Sequence, residues 1–246
     1  MKIIDAVWEK RNLGIETIEI EMGKDDVSDK QNSLARIKDI CSDDRLVYIK
    51  VPVGNLELVH SLEELGARFL ECQIKVSLKL SGYQFPNDIK GFLQLTGVKP
   101  IEKKQENLLT LQDRITPGMF STDRVCLDPM WGANGMSLSA IRYKNWISDI
   151  FFDENIVPYE FSVSNETVGF GVARKIGDNA DLLLGGVFGD INDPIAPLSF
   201  MSAPITLFSN LSHLKSNISS NNVSVVKMYC NFGYLLKPIF YVFRFN

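Results

Sequence analysis

The sequence predicts a mixed α/β fold in which one sheet is covered by helices and the chain divides into two unequal halves. Three observations predict it: strand-like alternation of apolar and polar residues, helix-like spacing between those strands, and an internal near-repeat. A shift of 167 positions places residues 51–66 on residues 218–233. Each copy reads as a strand end, an Asn-capped helix and a glycine turn. Few positions match, so chance similarity of two such units remains an alternative.

Composition bounds the class of protein. The 246 residues are 45% hydrophobic and 23% charged with a net charge of −4, which is typical of a globular protein and argues against nucleic-acid binding. The two histidines and the four scattered cysteines, none in a CxxC pair, fit neither a zinc site nor a disulfide framework, so no metal is predicted. A polar N-terminus and the lack of a ~20-residue apolar run predict a cytoplasmic protein without membrane insertion.

The first half alternates strands and helices. Residues 15–22 alternate as a half-buried strand, and Ser28 is expected to cap a helix with an apolar stripe at Leu34, Ile37 and Cys41. A short apolar strand at 46–51, a helix capped by Asn55 and ended by Gly66, and a strand at 69–80 follow.

A Gly/Pro-containing stretch up to Pro100 and the charged segment 102–106 mark the predicted boundary, which gives domains 1–100 and 101–246. The second half then reads as a strand at 108–115, a helix capped by Ser137, and a three-strand meander with turns at 164–166 and 177–179. A helix, a strand, a helix carrying Tyr229 on its inward face, and a final pair of strands complete the chain.

The order of elements and one motif carry a family resemblance. The motif is Asn222, then Tyr229 seven residues later, then Phe232-Gly233-Tyr234. It resembles the last third of the GNAT (Gcn5-related) N-acetyltransferase fold. Asp128-Pro129 and residues 142–147 resemble the sugar-nucleotide branch, whose reference member is dTDP-fucosamine acetyltransferase. The resemblance implies a GNAT-like acyltransferase fold preceded by a smaller, incomplete GNAT-like domain, which would account for the near-repeat.

This resemblance also implies a reaction, in which acetyl-CoA donates an acetyl group directly to the amine of a nucleotide-linked amino sugar for surface-polysaccharide synthesis. Backbone N–H groups of a splayed strand would stabilise the carbonyl oxygen, and Tyr229 would protonate the leaving sulfur. Asn222, Val187 and Phe188 are expected near the cofactor. A core tyrosine and an ordinary helix cap are the alternatives for Tyr229 and Asn222. The family also allows a homodimer.

Residues between Phe120 and Trp146 are expected to line the acceptor site. Phe120 or Trp131 can stack on a nucleobase, and Arg124 or Arg142 can pair with the diphosphate. The alternative is that Trp146, together with Ile150, only forms the apolar face of a helix. The sequence identifies no general base: Glu166, Asp181 and ordered water all remain candidates.

One segment departs from the family pattern. GNAT proteins bind the CoA diphosphate with a Gln/Arg-x-x-Gly-x-Gly/Ala loop, whereas residues 187–197 here carry one glycine, two aspartates and two prolines. The prolines remove N–H donors, and Asp190 and Asp193 would repel a diphosphate. The sequence therefore also supports a catalytically silent GNAT-like protein that binds a sugar nucleotide or a protein partner, or an enzyme that holds CoA by other contacts.

Overall fold

A single ten-stranded mixed sheet organises the protein; the computed structural model describes residues 1–42 and 44–245. In chain order the strands are β1 (Lys2–Asp5), β2 (Thr17–Glu21), β3 (Leu46–Pro52), β4 (Arg68–Lys79), β5 (Thr96–Pro100), β6 (Ile156–Val163), β7 (Glu166–Ile176), β8 (Asn179–Val187), β9 (His213–Ser219) and β10 (Leu235–Phe245). The α-helices are α1 (Val7–Leu13), α2 (Lys24–Ser28), α3 (Lys30–Ile40), α4 (Leu56–Glu64), α5 (Asn87–Leu93), α6 (Gln105–Asp113), α7 (Arg124–Leu127), α8 (Gly135–Ile150), α9 (Ala196–Leu207) and α10 (Val223–Asn231).

The two halves exchange strands at the centre of the sheet. The strand order is β1-β2-β3-β10-β4-β9-β8-β7-β6-β5. β10, the last strand of the second half, therefore lies between β3 and β4 of the first half. β4, in turn, lies between β10 and β9. The centre of the sheet thus depends on strands from both halves.

The internal repeat is confirmed by three consecutive elements. β3, α4 and β4 correspond to β9, α10 and β10 at the predicted offset of 167 residues. The pairing register repeats too, because Tyr241 lies opposite Val51 in one copy and Ile74 lies opposite Ile218 in the other. Equivalent pairings in the same register make chance similarity untenable, so the two units share one architecture.

Alternation along the strands places helices on both faces of the sheet. Val47, Ile49 and Val51 of β3 point into a core shared with α3 and α4, whereas Leu46 and Tyr48 pack with Leu13 and Val125 on the opposite face. In the second half, α9 and α10 cover the first face, and α6 and α8 cover the second. Burial on both faces explains why β3 is apolar along most of its length.

Two predictions about the second half are wrong. The segment 108–115 forms most of helix α6, because Leu108, Leu111 and Ile115 are buried at helical spacing instead of alternating across a strand. The predicted final pair of strands is one long strand, β10, with a register shift between Pro238 and Phe240. Instead of pairing with a second strand at the end of the chain, β10 pairs with β3 and β4 of the first half.

Other boundaries shift by a few residues. Ser28 ends α2, and Asp29 is the N-cap residue of α3. α8 begins at Gly135, ahead of the predicted cap at Ser137. The three-strand meander is confirmed as β6, β7 and β8. β1, α1, α5 and β5 were not predicted, and β5 pairs with β6 of the second half, while the division at residue 100 remains a prediction.

Among the described residues, no helix combines the length and apolar character needed to cross a bilayer.

Candidate functional site

Strands β8 and β9 separate near the middle of the sheet. They pair in parallel at three positions only, from Asn179 opposite His213 to Asp181 opposite Lys215. β8 continues to Val187 and β9 to Ser219 without further pairing between them. A cavity of about 530 Å³ opens in this gap. Beyond Asp181 the β8 backbone has no partner strand on this side: the Leu182 carbonyl accepts a hydrogen bond from the Ser216 hydroxyl at 2.8 Å, and the gap-facing backbone groups farther along β8 are available to a ligand.

The equivalent place in the first half is closed. β2 and β3 stay paired in parallel at all five positions, from Thr17 opposite Leu46 to Glu21 opposite Lys50. Leu62 of α4 occupies the position that Tyr229 has in α10, and it is fully buried in the first-half core. Only the second copy of the repeat therefore has both a cleft and a hydroxyl.

Tyr229 reaches the cavity from α10. Asn222 begins this helix, and its Oδ1 accepts a hydrogen bond from the Val225 N–H at 3.2 Å. Tyr229 is 4% exposed and packs edge-to-face on Tyr234, with ring centroids 4.6 Å apart. Burial raises the pKa of Tyr229 to about 12, although the neighbouring Ser216 hydroxyl opposes the shift. Tyr229 therefore holds its proton at neutral pH, as a proton donor must.

The buried tyrosines predict that the free energy of unfolding falls at alkaline pH. Burial also raises the pKa values of Tyr159 and Tyr234, which line the same cavity. Stability is complete below pH 10, where these phenols are protonated in both states; above it the unfolded chain ionises first and stability falls. Tyr229 alone should contribute up to about 3 kcal/mol to this loss as pH rises through about 12.

Urea unfolding at several pH values between about 9 and 11 checks this expectation. Tyr229→Phe should flatten the decline, because the substituted side chain has no proton to lose. A free energy of unfolding that stays constant over this range would contradict it.

Ion pairs fill the other end of the cavity, where the first half meets α7 and α8. Glu19 contacts Arg124 at 2.7 Å and Lys50 at 3.2 Å. Burial alone would raise the pKa of Glu19, but these two cations hold it at about 2. Glu19 is therefore ionised at neutral pH, and its contribution to stability is lost only as pH falls below about 4.5 toward 2.

Arg142 carries the second ion-pair group. Its Nε lies 2.8 Å from Glu9, and its Nη1 lies 3.4 Å from Asp123. The Tyr143 hydroxyl donates to Asp123 at 3.0 Å, and the Tyr143 ring stacks on Phe120 with centroids 3.7 Å apart. These contacts join α8 to the first half and fix the wall of the cavity.

The structure brings together six of the eight predicted site residues. The residues that line the cavity are Tyr229, Asn222, Val187, Phe120, Arg124 and Arg142. Phe188 lies outside it, packed on Phe170 and covered by the Arg114 guanidinium 3.5 Å from its ring centroid. Trp131 also lies outside it, among Leu13, Leu46 and Tyr48. Strand alternation explains the first case, since Val187 and Phe188 point to opposite sides.

Several cavity residues escaped the sequence analysis. Ser216, Tyr234, Lys50, Glu71 and Gln73 all line the cavity. The last three come from first-half strands, which the sequence does not show to be part of a second-half site. Glu166 is exposed at the start of β7, and neither Glu166 nor Asp181 lines the cavity.

Two aspartates in the segment between β8 and α9 make contacts within the protein. The Asp190 carboxylate lies 3.3 Å from Arg114, which pairs that arginine within the protein. Asp193 Oδ1 accepts from the Ile195 N–H at 2.7 Å at the start of α9. A carboxylate of the chain itself thus occupies the N-terminus of α9, a position at which helices commonly bind anions.

The sheet with its separated parallel pair is consistent with a GNAT-like fold, whereas an incomplete GNAT-like unit in the first half remains a prediction. A GCN5-related N-acetyltransferase from Kribbella flavida is similar to this chain with a TM-score of 0.55, at 10% identity, over 93% of this chain and 80% of that one. A tandem GNAT protein from the clavulanic acid biosynthesis pathway has a TM-score of 0.54, at 9% identity, over 93% and 74%.

A third similar structure is a GCN5-related glucosamine N-acetyltransferase region of a fungal multi-domain β-N-acetylglucosaminidase. Its TM-score is 0.60 at 11% identity, and the match covers 99% of this chain and 31% of that one. No protein-family model and no curated protein matches the sequence. None of the three structures is described as acting on a sugar nucleotide, so that narrower resemblance remains a prediction.

Proposed function

We propose that the protein is an N-acyltransferase that moves an acetyl group from a pantetheine thioester, acetyl-CoA in the first instance, to an amine. The observation that carries this proposal is the gap between β8 and β9 with the buried Tyr229 beside it. The GNAT-like fold and the descriptions of the similar structures support the reaction class.

The reaction is a direct transfer. The amine attacks the thioester carbonyl, the carbon–nitrogen bond forms, and the carbon–sulfur bond breaks. β8 N–H groups that face the gap would stabilise the negative charge on the carbonyl oxygen. Tyr229 would give its proton to the leaving sulfur and regain one from solvent, while the amine nitrogen loses its proton to water. Tyr229 is protonated at neutral pH, which the role requires, and its place beside the gap is what supports the role, because the raised pKa itself makes the phenol a weaker acid.

The cavity supports contacts with only part of the donor. Gly185 and Gly186 line the cavity where β8 has lost its pairing with β9, so a pantetheine arm can pair with the free edge of the β8 backbone. Asp190 and Asp193 oppose the diphosphate beyond it. We therefore expect the pantetheine arm, and not the nucleotide, to supply most of the donor affinity.

The acceptor proposed from the sequence is a nucleotide-linked amino sugar. Phe120 and Tyr143 supply an aromatic surface in the cavity wall. Arg124 and Arg142 face the cavity, but carboxylates of the protein already hold both, so an acceptor diphosphate would compete with Glu19 and Asp123. The geometry supports the amino sugar more strongly than the nucleotide.

Thiol release tests the proposal with two donors and two acceptors. We expect release from both acetyl-CoA and S-acetylpantetheine in the presence of glucosamine, with kcat/KM values within about ten-fold of each other. Comparing free glucosamine with a nucleoside-diphosphate-linked glucosamine shows how much of the acceptor the cavity holds. Absence of amine-dependent thiol release from both donors would refute the acyltransferase.

The acidic segment favours one second candidate, a catalytically silent GNAT-like protein that binds a sugar nucleotide or a protein partner. Asp193 at the start of α9 is the observation behind it. Binding of an amino sugar without any thiol release would support this candidate over the enzyme.

A further inference from the structure

Glu71 is a buried carboxylate in the cavity wall that the transfer reaction leaves without a role. It lies on β4, the strand that the first half contributes to the second, and it is 7% exposed. Both Glu71 and Lys50 lie opposite Val242 on the intervening strand β10, one on each side. Directly opposed residues point to the same face, so Glu71 and Lys50 share the floor of the cavity.

Every other charged side chain of this cavity has a partner of opposite sign. Lys50 and Arg124 contact Glu19, and Arg142 contacts Asp123. Within residues 1–42 and 44–245, Glu71 accepts no side-chain hydrogen bond and lies at ion-pair distance from no cation; its charge reaches Arg124 only at longer range. The side chain is mostly buried, but its carboxylate oxygens are not among the fully enclosed atoms, so the carboxylate opens on the cavity, where a cationic ligand can reach it.

The charges of this end of the cavity do not balance. Three cations, Lys50, Arg124 and Arg142, lie at this end. Three carboxylates pair with them, and Glu71 is a fourth; the paired ones are Glu9, Glu19 and Asp123. One net negative charge therefore remains in a partly desolvated space, where electrostatic attraction is strong.

We propose that Glu71 binds the ammonium group of the acceptor, so that the first half supplies a specificity-determining residue for the second-half site. This inference rests on the proposed acyl transfer, which requires an amine. Gln73 lies two residues along β4 on the same face and also lines the cavity, so its side-chain oxygen can accept a second hydrogen bond. No cluster of three metal-ligating side chains occurs in the described part of the chain, and one carboxylate beside one amide suits an organic ammonium ion.

Equilibrium binding titrations with the full chain test this proposal. Glucosamine and ethanolamine are the cationic ligands, and glucose is the neutral control for glucosamine. The wild type should bind at least one amine and bind glucose much more weakly. Glu71→Gln should weaken amine binding by about ten-fold or more, because a charge-assisted contact is lost. Glu71→Asp should restore part of it. Glu64→Gln, on the exposed side of α4, is the matched control and should change nothing.

Three results would overturn the proposal: equal amine affinity in the wild type and Glu71→Gln, glucose binding as tight as glucosamine binding, or no binding of either amine to the wild type. Measuring thiol release distinguishes a failure of the Glu71 proposal from a failure of the proposed acyltransferase activity. Glu71-dependent amine binding without thiol release refutes the enzyme and keeps the Glu71 site. Transfer with an amine KM that is unchanged in Glu71→Gln refutes the Glu71 site and keeps the enzyme. Thermal melting of each variant establishes that it is folded.

Discussion

Tyr229→Phe should lower kcat for acetyl transfer by about 10²- to 10⁴-fold, the range typical of losing a positioned general acid. The donor KM should change little, because the phenol acts on the sulfur only as the bond breaks. Folding should be preserved, since the ring still packs edge-to-face on Tyr234 and only one hydroxyl is removed. Steady-state kinetics with acetyl-CoA and the best amine acceptor measure both parameters.

Tyr234→Phe is the matched control for this experiment. Tyr234 lines the same cavity, and its buried hydroxyl has no hydrogen-bond partner among the described residues. Removing an unsatisfied buried hydroxyl should leave stability unchanged or raise it by about 1–3 kcal/mol, and kcat should stay near the wild-type value. If Tyr234→Phe lost more activity than Tyr229→Phe, the proton donor would be Tyr234 and the assignment from the sequence motif would be wrong.

Two fragments of the chain, residues 1–82 and 83–246, should fail to fold on their own. Dividing the protein between Gly82 and Tyr83, at an exposed turn, leaves β10 without both of its neighbours and leaves β9 with an open edge. The first fragment keeps β4 but loses both strands that flank it. Each fragment expressed alone should show no cooperative urea transition, whereas mixing them should restore one transition and the near-ultraviolet signal.

A nicked protein provides the control for this fragment experiment. Cleaving the intact fold at a protease site inserted after Gly82 should leave both pieces together in one particle, which separates only in denaturant. This outcome follows from the exchanged strands, because each piece buries a strand of the other. Spontaneous separation in native buffer, or a cooperative transition in either fragment alone, would show that the halves are independent domains.

Local sequence signals predicted the repeating unit well. An asparagine before an apolar stripe and a glycine after it mark α4 and α10, and both glycines adopt positive φ angles, +97° at Gly66 and +75° at Gly233. The offset of 167 residues in the sequence matches the offset between the equivalent elements in the structure. The meander turns were likewise readable, because Ser164, Asn165 and Gly177 take the left-handed conformation that such turns require.

The parts that could not be predicted depend on distant residues. Nothing local in 235–245 indicates that this strand inserts between β3 and β4, because a central strand and half of a hairpin show similar apolar alternation. The same limit hid Glu71, which resembles a surface residue until β4 is placed beside β9. Arg124 and Arg142 line the cavity, but the sequence did not show that Glu19 and Glu9 pair with them.

The exchanged strands also set the order in which the chain must fold. Phe240 of β10 lies opposite Pro52 of β3, a separation of 188 residues along the chain. Closing so long a loop adds little to the equilibrium cost, since each doubling of length costs about 0.6 kcal/mol. It delays folding, however, because non-local strand pairing slows the search for the native topology. The local units β3–α4 and β9–α10 should therefore form early, and the centre of the sheet should close last in one slow, concerted step that completes the cavity.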